Sequence, residues 1–209
     1  MSIQPLPTTE QFSTHIDRFQ KQLDLLKSFK VPPFKSWLID WSLLGKVEDS
    51  KIGWINVDEL NQLKQAKYQP AIYYFISTEI IGIDVYESFL LGKSTSSTIR
   101  VNGNIKGKDF FNISHVPKNY HETNCLYVGS VKKDLYSRLK GHLGYGPNRT
   151  GALFLKQALS RLEIKPPFNL NYCLLDEKYV GVTEHIERVF QDHFKPLIGQ
   201  KTFKNVKSV

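Results

Sequence analysis

From Thr8 onward the chain has a helical period: Phe12, Ile16, Phe19, Leu23 and Leu26 recur at three- and four-residue spacing until Val31-Pro32-Pro33 stops the pattern. Thr8 and Gln11 stand at the two ends of a capping box. The reading is an amphipathic helix whose apolar stripe packs on the protein's own core. Residues 34–70 are less periodic. Trp37, Trp41 and Trp54 supply apolar bulk, Ile52–Val57 suits a strand, and Val57–Ala66 suits a short helix with Asn56 near its start.

The signals sharpen at Ala71. Ala71–Ile76 is a run of β-favouring residues suited to a strand covered on both faces. Residues 78–122 form a long polar interlude, with Gly92–Thr98, Asn102-Gly103 and Asn104 marking a loop-rich, mobile centre. Cys125–Gly129 then reads as a second strand. Lys132–Leu143 reads as a helix ended by Gly144 and Gly146, with a turn at Pro147–Thr150. Ala152–Leu162 reads as a helix and Phe168–Leu175 as a strand of alternating Phe168, Leu170, Tyr172 and Leu174. Thr183–Phe194 reads as a helix ended before Pro196.

Composition adds a few limits. The 28 lysines and arginines against 20 acidic residues leave a formal charge of +8, which favours a polyanionic partner without identifying one. A hydrophobic share of 41% is enough for a packed core. Cys125 and Cys173 each lie in an apolar run, as reduced core cysteines do, and no Cys/His metal spacing occurs. The first residues lack a signal-peptide pattern and no stretch reaches membrane-spanning length, so the expectation is a cytoplasmic protein with no membrane partner.

Strand parity places Ala71, Tyr73 and Phe75 on one face, and Tyr127 with Cys125 and Gly129 on one face of the second strand. In suitable register the two tyrosine hydroxyls converge, with glycine at 129 leaving room for backbone approach. In the next helix Leu135, Leu139 and Leu143 form the buried stripe, and Arg138 and His142 stand one turn apart at its edge. A fixed guanidinium there suits an anionic centre, and His142 suits proton acceptance or relay near neutral pH. On the last helix Glu187 lies at the border of the apolar face while Glu184 points further to solvent, so Glu187 is the better placed of the two to face a cleft.

Four motifs in this order resemble the GIY-YIG nuclease family: Ala71-Ile72-Tyr73, Tyr127-Val128-Gly129, Arg138 through His142, and Glu187 nine residues before Pro196. The resemblance spans about residues 70–200, with an insertion at 78–122, a preceding extension at 1–69 and a tail at 201–209. It implies an α+β fold, a small three-stranded antiparallel sheet flanked by helices; the N-terminal helical extension is read from periodicity, and the resemblance says nothing about residues 1–69. It further implies a DNA endonuclease using one divalent cation, Mg2+ or a substitute such as Mn2+, with Tyr73, Tyr127, Arg138, His142 and Glu187 catalytic and Glu187 on the metal. RNA as substrate and a homodimer stay open.

Lys132, Lys133, Lys140, Arg149 and Lys156 are candidate phosphate contacts. The chain departs from the family pattern in three ways: Ala71 stands for a glycine, the insertion is long, and no asparagine closely follows Pro196, the nearest being Asn205. Gly92-Lys93-Ser94-Thr95 lacks the first glycine of a P-loop, which would fall at Glu87, and Glu184, His185 and His193 do not form a zinc-hydrolase motif. The competing readings are a binding module of the same fold without turnover, and a protein-interaction role centred on residues 1–69.

Overall fold

The computed structural model describes residues 8–39, 41, 62–98, 115–145, 151–160 and 162–199. The Ile52–Val57 strand, Trp54, the turn at Pro147–Thr150 with Arg149, Asn102–Asn104 and the 201–209 tail lie outside the described residues. Of the helix expected over Val57–Ala66, residues 62–65 are described and helical.

Helix α1, Thr9–Lys27, opens with the capping box: the Gln11 N–H donates to the Thr8 hydroxyl, and the Thr8 N–H donates to the Gln11 carboxamide at 2.8 Å. Among the described side chains its stripe is used only at one end. Leu25 and Leu26 pack inward, whereas Ile16, Phe19 and Leu23 are exposed, so the expected continuous packing on the core is not observed.

Strands β1, Lys35–Leu38, β2, Ala71–Ser77, β3, Cys125–Val131, and β4, Phe168–Leu174, form one antiparallel sheet in the order β1-β4-β2-β3. The expected three strands are therefore four. The extra strand comes from the segment read as an extension; Trp37 stacks on Tyr172 with ring centroids 4.6 Å apart, and this aromatic contact fixes a strand too short to show a period of its own.

One face of the sheet carries Tyr73, Phe75, Tyr127, Phe168, Leu170 and Tyr172, and packs against Leu135, Leu139, Leu143, Phe154 and Phe89. Phe75, Phe89, Phe154 and Phe168 are fully buried, each contributing roughly 1.5–3 kcal/mol by area removed from water. The other face carries Ile72 and Cys173 under Ile186 of the last helix. A bulge in the β2–β3 register sets Tyr127 opposite Phe75 but Cys125 opposite Ile76. Cys125 thus falls on the face opposite Tyr127, correcting the simple alternation that put them together.

Three helices differ from expectation. Residues Ile83–Thr98 form helix α2, running through the Ser/Thr-rich stretch read as loop; its foundation is the helical spacing of buried Ile81, Val85, Tyr86 and Phe89, which outweighs the weak propensity of serine and threonine. The Tyr86 and Tyr120 hydroxyls donate to the carbonyls of Pro117 and Ile81, tying this segment to the body. Helix α3 is Leu135–Leu143, starting after the two lysines because Asp134 caps it from a left-handed backbone at φ 59°, accepting from the Ser137 N–H at 3.1 Å. Gly144 ends it at φ 99°. Helix α4 is only Leu155–Ala158, because Phe154 before it is left-handed at φ 51°.

Helix α5, Thr183–Phe194, agrees with the expected span. Beyond it, Leu197 and Ile198 donate to the carbonyls of Cys125 and Leu126, and the Gln191 carboxamide donates to the Val128 carbonyl, so most of the outer edge of β3 is covered.

Asp134 both caps α3 and tolerates positive φ. Asp134→Ala is expected to lower unfolding free energy by about 1–2 kcal/mol, and Asp134→Asn by less, in chemical denaturation; equal losses would contradict the capping account.

Candidate active site

The site grows from the pairing of β2 with β3, where Tyr73 lies opposite Gly129. The Tyr73 ring leans across its neighbour, and a Cβ at position 129 would meet both the Tyr73 hydroxyl oxygen and the Tyr127 ring at 2.5 Å. Glycine at 129 is thus a steric requirement for two tyrosines to share this surface. A similar constraint acts at Gly199, where a Cβ would meet the Tyr127 ring at 2.4 Å.

Arg138 joins the tyrosines. Its Nε donates to the Tyr73 hydroxyl at 3.1 Å, Nη2 donates to the Tyr127 hydroxyl at 3.3 Å, and Nη1 donates to the Gly151 carbonyl at 2.6 Å. All three nitrogens of the fork are used, which a lysine could not reproduce. Burial works against the guanidinium charge, but the two tyrosine oxygens outweigh it and hold Arg138 protonated.

His142 completes the cluster one turn later. Its Nδ1 accepts the Leu153 N–H at 3.1 Å, and its Nε2 lies 2.8 Å from the Tyr73 hydroxyl. An Nδ1 that accepts leaves the proton of a neutral ring on Nε2, so His142 donates to Tyr73. The ring is fully buried, and this burial, with help from the nearby Arg138 charge, pushes its pKa well below the ordinary range. His142 is therefore a fixed neutral donor rather than the near-neutral proton relay that the sequence suggested.

Tyr73 receives two N–H donors, which favour a phenolate. Burial dominates, and Tyr127 adds to it, so its pKa is raised well above the ordinary value of 10 despite Arg138 acting in the other direction. The resting group is a phenol. Tyr73 is wholly enclosed, whereas Tyr127 keeps 6% of its surface exposed.

Glu187 stands apart from these four. It projects from α5 on the other side of β3, where the Ser130 hydroxyl donates to one carboxylate oxygen and the Gln191 carboxamide to the other at 2.8 Å. It is near enough for its charge to add to the upward shift on Tyr73. Ser130 directly follows Gly129, so the strand edge carries the tyrosine cluster on one side and the carboxylate on the other. Among the described residues no group of three or more His, Cys, Asp or Glu side chains could hold a metal ion. A single positioned carboxylate fits the limited protein ligation of magnesium, which keeps its waters and also binds substrate phosphate.

The lysines divide. Lys132 pairs with the exposed Glu184 at 2.9 Å, and Lys133 is exposed. Lys140 lies over the Tyr136 ring and Lys156 over the Tyr145 ring. Four contributors escaped the sequence reading: the Gly151 carbonyl, the Leu153 N–H, Ser130 and Gln191. The last had a readable signal, its i,i+4 spacing from Glu187; backbone groups carry none.

The buried ring gives a direct test. Folded His142 binds a proton less readily than the unfolded chain, so its contribution to stability is complete above the ordinary histidine range, about pH 6.5, and declines as pH falls below it. NMR of the imidazole nitrogens between about pH 8 and about pH 6.5 is expected to show one neutral tautomer protonated on Nε2; a ring titrating in that window would contradict this.

No protein-family model matches the chain, and no curated protein or solved structure matches it.

Proposed function

We propose that this chain is a divalent-metal-dependent endonuclease that hydrolyses DNA phosphodiester bonds with the Tyr73, Tyr127, Arg138 and His142 cluster, as its motif resemblance to GIY-YIG nucleases implies. The observation that carries the reading is the Arg138 fork joined to two tyrosine hydroxyls beside a strand edge that also holds a carboxylate. Hydrolysis forms a bond from water oxygen to phosphorus and breaks the bond from phosphorus to a bridging oxygen. Extra negative charge gathers on the phosphoryl oxygens between these events, and a charged guanidinium stabilises it.

Access of water to Tyr73, enclosed at rest, requires the cluster to open at the exposed edge of Tyr127; the water proton then passes to the Tyr73 oxygen in its deprotonated form. His142 Nε2–H and Arg138 Nε–H both donate to that oxygen, lowering the cost of the phenolate that burial imposes. Tyr127, with an edge at the surface, orients the water. Glu187 would hold the divalent cation, with Ser130 and Gln191 orienting its oxygens; a cation bound there would neutralise negative charge that develops in the transition state. Gln191 supplies support in place of the asparagine missing after Pro196.

A second reading has its own observation. Tyr73 and His142 are fully enclosed and all three Arg138 nitrogens donate inward, which also suits a rigid binding module without turnover. Both readings suit a folded protein in which no described helix is long and apolar enough to cross a membrane.

A pH–rate profile with magnesium and plasmid DNA separates them. Since a phenol of raised pKa must ionise, the cleavage rate is expected to climb about tenfold per pH unit through the neutral and mildly alkaline range. Arg138→Ala is expected to lower it about a hundredfold to a thousandfold. Binding with no metal-dependent cleavage at any pH would select the module.

A further inference from the structure

Three segments meet on the flank of α3 away from Arg138. The Asp134 N–H donates to the Lys67 carbonyl at 2.6 Å, locking the turn before α3 against residues 66–69. This places Lys64 Nζ 5.5 Å from the centre of the Tyr136 ring, while Lys140 Nζ stands 5.7 Å from the same ring. Lys67 lies 5.9 Å from the ring of Tyr68, which is 69% exposed. Among the described residues, none of these three lysines is ion-paired with a carboxylate.

Two ammonium groups held over one ring repel each other, and the ring offsets only a small part of their charge. Such an arrangement is stabilised by an anion with several negative centres at regular spacing. We infer that Lys64, Lys67 and Lys140, seated on Tyr68 and Tyr136, form a contact surface for a nucleic-acid backbone. This inference rests on the proposed nuclease reading and extends it to residues 62–68, outside the motif-bearing region.

Tyr136 and Lys140 lie on the flank of α3 opposite Arg138, each two residues from it along the helix. Ammonium groups held near tyrosine rings have limited freedom, which reduces the ordering cost of each phosphate contact. The surface contributes grip without reading sequence.

The test uses the full chain without divalent metal, so that binding is read without cleavage. Affinity for a labelled duplex of about 20 base pairs is measured over a salt series for the wild type and for the Lys64→Gln, Lys67→Gln, Lys140→Gln triple variant. The variant is expected to bind more weakly at every salt, with a log–log slope shallower by about three. The Lys64→Gln, Lys67→Gln double variant leaves α3 untouched and is expected to reduce the slope by about two.

Wild-type affinity and slope in both variants would overturn the inference, whatever the wild-type protein cleaves. Wild-type binding with the expected slope losses but no metal-dependent cleavage would sustain this surface and defeat the nuclease reading. Wild-type capture by phosphatidylserine vesicles with no DNA binding would overturn the surface in favour of a membrane.

Discussion

The structure turns on one partly buried charge. Arg138 extends from α3 into the angle between that helix and the sheet, where its guanidinium is sustained by the Tyr73 and Tyr127 hydroxyls and the Gly151 carbonyl. A charge partly withdrawn from water is held best when its donors are satisfied, so each acceptor is placed by a rigid element. Pairing of β2 with β3 places the two tyrosines, the absence of a side chain at Gly129 admits their rings, and the residues leading to α4 run past α3 to present Gly151 and Leu153.

This one requirement organises the chemistry around it. His142 is fixed in its tautomer by the Leu153 N–H and donates to the same Tyr73 oxygen as Arg138. Two donors converge on one phenol whose ionisation burial opposes, so the environment sets the cost of making a base and the partners that reduce it. Glu187 belongs to a different layer, held by Ser130 and Gln191 across the edge strand. Only the width of β3 separates the two parts, which is why the covering of its edge by Gln191 and Leu197–Ile198 matters to the proposed function as much as to the fold.

Much of this was legible in the sequence where periodicity was long or where a cap was explicit. The span of α5, the alternation in β4 and the Thr8 capping box all agree, because each is encoded by local residue types. The parts that escaped are set by distant contacts. β1 depends on Trp37 meeting Tyr172; α2 hides its apolar stripe in a polar composition; the bulge that separates Cys125 from Tyr127 arises from pairing. At the site, the grouping of Tyr73, Tyr127, Arg138 and His142 was readable from strand parity and helical spacing. The protonation state of His142 was not, since a backbone N–H and full burial decide it. Glu187 was expected in the same cleft and stands instead beyond the edge strand, a consequence of α5 packing on the opposite face.

The central claim is that a fork-shaped cation holding two tyrosine oxygens drives metal-dependent phosphodiester hydrolysis. Single-turnover cleavage of DNA with magnesium by the wild type and Arg138→Lys tests it most directly, because lysine keeps the charge and loses the fork. The account predicts cleavage by the wild type and a rate for Arg138→Lys at least about a hundredfold lower. A lysine variant as fast as the wild type, or a wild type that leaves DNA intact, would contradict it.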